Sequence, residues 1–125
     1  MSTTKLRDAI WESLDCTEAQ TKDVIDVMLS DIALFDKKQR DYGPENIAKF
    51  GLTGVLVRSS DKIERLINLQ TISVDSVQYK PEANEYIEDS WQDLSVYGVI
   101  ARVLMANKWM CRGETSIEQE VTDEE

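Results

Sequence analysis

Asp61 and Glu64 form a DxxE pair, and after 24 intervening residues Asp89 and Asp93 form a DxxxD pair. On helices, side chains three or four positions apart share a face, so each pair would aim two oxygens at one place. A carboxylate row entering a packed bundle is how Mg²⁺ sites with oxygen ligands are built between helices. The second row is longer in "EYIEDSWQDLSVYG", where Glu85 stands four residues before Asp89 and Glu88 three after Glu85. A solvated acidic face near a helix N-terminus, tolerated by the macrodipole, is the competing reading. Asp93 lies a turn beyond that zone, followed by Leu94 and Tyr97.

Cations accompany the first pair. In "VRSSDKIERLINLQ" (57–70), Arg58, Asp61, Arg65 and Asn68 fall within about 80° of one another on a helix, with Val55, Leu56, Ile63, Leu66 and Ile67 opposite. Such a face is either a surface laced with weak ion pairs or a wall that grips an anion. Arginine forks suit phosphate oxygens because they donate in a bidentate way, and Lys62 would add a point charge. The third group is "KKQRDYGPENIAKFG", where Asp41, Tyr42, Gly43 and Asn46 crowd a helix break. Turn chemistry alone accounts for such residues, or the break presents Asp41 and Asn46 to a ligand.

The pattern that must position these groups is helical. Thr3 or Thr4 can cap a first helix to about Leu14, and Thr17 a second, longer one to about Arg40. Gly43 suits the position just past that helix and Pro44 cannot continue it. A helical turn over "PENIAKF" ends at Gly51, and a third long helix is expected from about Thr53 to Leu69. "TISVDSVQYKP" alternates but has no obvious partner strand, so it reads as a loop. The last helix is expected over about Glu82 to Trp109, with Gly113 marking its end. The fold expected is all-α, most simply a four-helix bundle: one domain over 1–113 and an acidic, disordered tail over 114–125.

Composition narrows the chemistry. The 125 residues are 42% hydrophobic and 30% charged, which suits one globular domain with a real core. The net charge is −10, and the tail "ETSIEQEVTDEE" supplies six acids and no base. Neither the whole chain nor the remainder, near −4, resembles a duplex nucleic-acid binder, which needs a basic patch. There is no histidine. Serine–histidine and cysteine–histidine nucleophiles and histidine-held zinc are therefore excluded, and a metal would be Mg²⁺, Mn²⁺ or Ca²⁺ on oxygen. Cys16 and Cys111 are expected as reduced thiols. No apolar run is long enough for a membrane span, and "MSTTKLRDAIWESLD" does not read as a secretory signal, so the cytoplasm is the expected compartment.

Taken in order, "DYGPENIAKFG", "GVLVRSSDKIERLINL" and "EDSWQDLSVYGVIA" resemble the nucleotide modification associated domain of the first type, a family common in bacteriophages. The resemblance covers about Lys37 to Ala101, roughly half the chain, and includes Asp41, Tyr42, Gly43, Asn46, Arg58, Asp61, Lys62, Arg65, Asp89, Asp93 and Tyr97. It implies an all-α fold and a role in phage nucleotide metabolism or base modification, in the host cytoplasm if phage-encoded. The family is in turn distantly similar to the MazG-like nucleoside triphosphate pyrophosphohydrolases, which hold Mg²⁺ on carboxylates of two helices. The usual signature there is ExxE followed by ExxD; here Asp61 and Glu64, then Asp89 and Asp93, stand in its place. A homo-oligomer is also implied.

Two functions follow as expectations. In the first, a Mg²⁺-dependent (or Mn²⁺-dependent) enzyme hydrolyses a nucleoside triphosphate or modified nucleotide. Asp61, Glu64, Asp89 and Asp93 would hold the metal that activates water. Arg58, Lys62 and Arg65 would grip phosphates, Asp41, Tyr42 and Asn46 would contact base or sugar, and Tyr97 would stack. In the second, the same site sequesters a nucleotide without turnover, including a cyclic or modified signalling nucleotide of host defence. A scaffold whose acidic tail binds a basic partner is a third reading and rests on charge alone.

Overall fold

The computed structural model describes residues 2–72, 77–79 and 84–113. Its helices are α1 (Thr3–Ser13), α2 (Gln20–Tyr42), α3 (Glu45–Ala48), α4 (Gly51–Leu69) and α5 (Asn84–Met105), with β1 (Gln70–Ile72) and β2 (Val77–Tyr79) between the last two. The all-α expectation holds, apart from this small hairpin. The chain gathers into two compact units, Met1–Lys38 and Gln39–Glu125, where the sequence reads as one domain over 1–113. The acidic tail expected over 114–125 lies outside the described residues.

In the first unit Ser2, rather than Thr3 or Thr4, caps α1: its Oγ accepts from the Lys5 backbone N–H at 3.2 Å. Asp15 closes the helix in the left-handed region, at φ 54°. The Asp15 N–H donates to the Glu12 carbonyl and the Cys16 N–H to the Trp11 carbonyl, the paired bonds of a Schellman end. Thr17 is not the start of α2. Tight turns, with Thr21 N–H donating to Glu18 O and Lys22 N–H to Ala19 O, lead into a helix that begins at Gln20. Arg7 joins α1 to α2, donating to Asp8 Oδ1 at 3.2 Å and Asp26 Oδ2 at 3.3 Å. Those two carboxylates, Asp8 first, raise the guanidinium above its ordinary value.

The second unit opens at the expected break. Gly43, at φ +79°, donates its N–H to the Gln39 carbonyl at 2.9 Å and so ends α2. Pro44 then accepts from the N–H groups of Ile47 and Ala48, each at 3.2 Å, to start α3. The core of this unit is the antiparallel pair α4 and α5, with α3 against α4. Val55 and Leu66 of α4 and Ile87, Val96 and Ile100 of α5 are buried. Leu66 and Ile87 cluster with Leu69 and Leu94. Ser90 is buried on α5 and satisfies its hydroxyl by donating to the Tyr86 carbonyl at 2.7 Å.

Two expectations are corrected here. The segment after α4 is not a loop throughout: β1 finds its partner within the same stretch, pairing antiparallel with β2 from Gln70↔Tyr79 to Ile72↔Val77. The last helix stops at Met105, four residues early, and Gly113 is not its end. Asn107 takes φ 57°, and the Asn107 and Lys108 N–H groups donate to the Leu104 and Val103 carbonyls. Asparagine tolerates that conformation better than other non-glycine residues. The following segment returns to the α2–α3 break. Trp109 Nε1 donates to the Pro44 carbonyl at 2.9 Å, the Arg112 N–H to Glu45 Oε1 at 3.1 Å, and Arg112 Nη2 to the Gln39 carbonyl at 3.3 Å. Neither Cys16 nor Cys111 takes part in a disulfide. No helix among the described residues is long and apolar enough to cross a membrane.

Candidate functional site

Helix α4 directs Val55, Ser59, Lys62, Leu66 and Leu69 toward one side at spacings of three and four, and the burial of Val55 and Leu66 marks it as the side facing α5. Arg58 and Arg65 lie roughly 60–80° round from it, so Arg58, Lys62 and Arg65 form a ridge along one margin of the α4–α5 pair. Asp61 lies about 120° away and Glu64 about 180° away, and both are exposed.

Arg58 is held by α3, and Lys62 and Arg65 by α5. Arg58 Nη2 donates to Asn46 Oδ1 at 3.1 Å and reaches the Asn46 carbonyl at 3.4 Å, which ties the "DYGPEN" break to α4. Lys62 Nζ stands 2.9 Å from Asp93 Oδ2 across the seam, with their side chains only 24% and 12% exposed. The Arg65 guanidinium lies 5.1 Å from the centre of the Tyr86 ring. The arrangement offers an anion two guanidiniums, Arg58 and Arg65, beside an aromatic face, with the Lys62 ammonium between them engaged by Asp93.

The structure thus brings together Asn46, Arg58, Lys62, Arg65 and Asp93, and adds Tyr86. It does not bring together the four carboxylates. Asp61, Glu64 and Asp89 are exposed, Asp93 is engaged by Lys62, and no group of three or more cysteine, aspartate or glutamate side chains that could hold a metal occurs among the described residues. The donor set within one chain therefore does not fit the Mg²⁺ that the resemblance implies. Tyr97 sits apart from the cations, in the wall of an apolar groove of about 330 Å³ lined also by Leu52, Val55, Leu56, Ser59, Leu94, Gly98 and Ala101. Asp41 and Tyr42 end α2 beside Gly43, with Tyr42 exposed.

Sequence reasoning missed Tyr86. The available signal was an aromatic one turn ahead of Ser90 on the face that also carries Asp93. It missed the Trp109–Arg112 clasp too, for which the sequence carried no periodic signal. The clasp has an electrostatic consequence: the Arg112 backbone N–H, and then Glu45's own, hold the Glu45 carboxyl below its usual 4.5.

Comparisons with protein-family models, with curated proteins and with solved structures returned no match.

Proposed function

We propose that this chain is a phage nucleotide-handling protein that binds a nucleotide or nucleotide-derived molecule and holds it without turnover. The observation that carries this reading is the ridge of Arg58, Lys62 and Arg65 beside the half-exposed Tyr86 ring. Arg58 and Arg65 can each present two parallel N–H donors to a phosphate, and the ring offers a base a stacking surface. Asn46, whose Oδ1 accepts from Arg58, would use its side-chain NH2 to read a sugar or base edge. The Lys62 ammonium neutralises Asp93, one of the four carboxylates that hydrolysis would use. That pairing favours retention over hydrolysis. Sequestration of a cyclic or modified signalling nucleotide of host defence is the use this chemistry suits.

The test is a panel of nucleoside triphosphates and cyclic dinucleotides, incubated with the purified protein with and without Mg²⁺. Bound material is then released by heat and its identity determined. Intact nucleotide recovered at one equivalent per site supports retention. Release of pyrophosphate that disappears in Asp93→Asn would establish the hydrolase in its place.

A further inference from the structure

We infer that the ridge is two half-sites, one for each nucleotide of a dinucleotide, an assignment that rests on the nucleotide reading above and names its ligand class.

Arg58 and Arg65 stand seven residues apart on α4, so their Cα atoms lie about 10.5 Å apart along the axis and within about 20° of one another around it. Their side chains then part. Arg58 Nη2 turns to Asn46 of α3 at 3.1 Å. The segment that follows α5 is clasped to α3, through Trp109 on Pro44 and Arg112 on Glu45, which places α3 at the end of the pair where α4 begins. The Arg65 guanidinium turns instead to Tyr86, in the first turn of α5 and therefore beside the end of α4. Drawn to partners at opposite ends, the two guanidiniums stay about 10 Å apart. A single phosphate gripped from both sides at about 2.7–2.9 Å joins two guanidiniums only when they close to about 8 Å. Two phosphates are needed.

The middle of the ridge disfavours a continuous polyphosphate. There Lys62 Nζ stands 2.9 Å from Asp93 Oδ2. Asp89, exposed, lies one turn from Asp93 and about 40° from it around α5. Two carboxylates against one ammonium leave this stretch net negative, where a triphosphate would set its own charge against them. A dinucleotide carries two phosphates separated by a sugar, one for each guanidinium, with the uncharged sugar over the middle.

Each end also supplies a group for a base. Beside Arg65 it is the Tyr86 ring, 51% exposed, on which a base can stack. Beside Arg58 it is the exposed Asn46 side chain, whose Oδ1 accepts from Arg58 and whose NH2 can donate to a base edge. Phosphate grip and base contact are thus each present twice, about two turns of α4 apart. That is the arrangement of two nucleotides.

Calorimetric titration of the full chain tests this. The probes are 5′-phosphorylated linear dinucleotides and cyclic dinucleotides of adenine, guanine, cytosine and uracil, each beside the monophosphate and triphosphate of its base. One dinucleotide should bind at least about tenfold more tightly than both of those, and the linear and cyclic arms tell which form is taken. Arg58→Ala and Arg65→Ala should each weaken it about tenfold and the double variant about a hundredfold, because sites more than about 7–10 Å apart act additively. Circular dichroism checks that helicity is unchanged. A monophosphate or triphosphate bound as tightly as every dinucleotide overturns the inference and leaves the nucleotide reading in place. So does a double variant no weaker than the single ones, the mark of one shared phosphate. Binding of no nucleotide of any kind removes the nucleotide reading itself.

Discussion

Replacing Lys62 by methionine keeps the aliphatic stem against α5 and removes only the ammonium that stands 2.9 Å from Asp93. The cost depends on how much water reaches the pair. Fully exposed pairs contribute about 0.2–1 kcal/mol, and breaking a fully buried one costs about 3–5 kcal/mol because a charge is left behind in low dielectric. With 24% and 12% of the two side chains exposed, the pair sits between these limits and nearer the second. A loss of about 2 kcal/mol follows. For a chain of this size that lowers Tm by about 8 °C, read by circular dichroism at neutral pH. Asp93→Asn should cost less, about 1 kcal/mol, because the stranded lysine is the more exposed partner and can turn its head to water. Lys62→Met combined with Asp93→Leu should recover most of the loss, since replacing both charges removes the desolvation cost. A fall below about 2 °C in Lys62→Met would place the pair among exposed ones. Asp93 would then be open to a ligand, and the case for retention over hydrolysis would lose its support.

Other outcomes follow from the same geometry. Arg58→Ala and Arg65→Ala should each weaken nucleotide binding about tenfold by calorimetry while changing stability by less than about 0.5 kcal/mol; unchanged affinity in both would remove the ridge from the site. Gly43→Ala should lower stability by about 1 kcal/mol, or Tm by about 4 °C, because φ is +79° and the new Cβ would meet Glu45 Oε2 at 3.1 Å. The Glu45 carboxyl is held below 4.5, so its stabilisation is fully present above that value and is lost as pH falls through the depressed one. Trp109, whose indole donates to Pro44 in the same clasp, should report this as an acid-side change in fluorescence that Glu45→Gln abolishes.

How much of this was legible in the sequence depended on how local the cause was. The end of α2 was, because Gly43 and Pro44 are the residues that act there. The end of α5 was not, since Asn107 adopts a backbone conformation more often given to glycine, and Gly113 was the more obvious stop. The β hairpin was missed because its partner lies a few residues on in the same segment, where a search for a distant strand finds nothing. Grouping Arg58 with Arg65 needed only helical periodicity. Pairing Lys62 with Asp93 needed the register of α4 against α5, which no single-helix pattern contains. For the same reason the sequence offers Tyr97 as a stacking residue without showing that it lines the groove, and does not single out Tyr86, whose ring lies against Arg65.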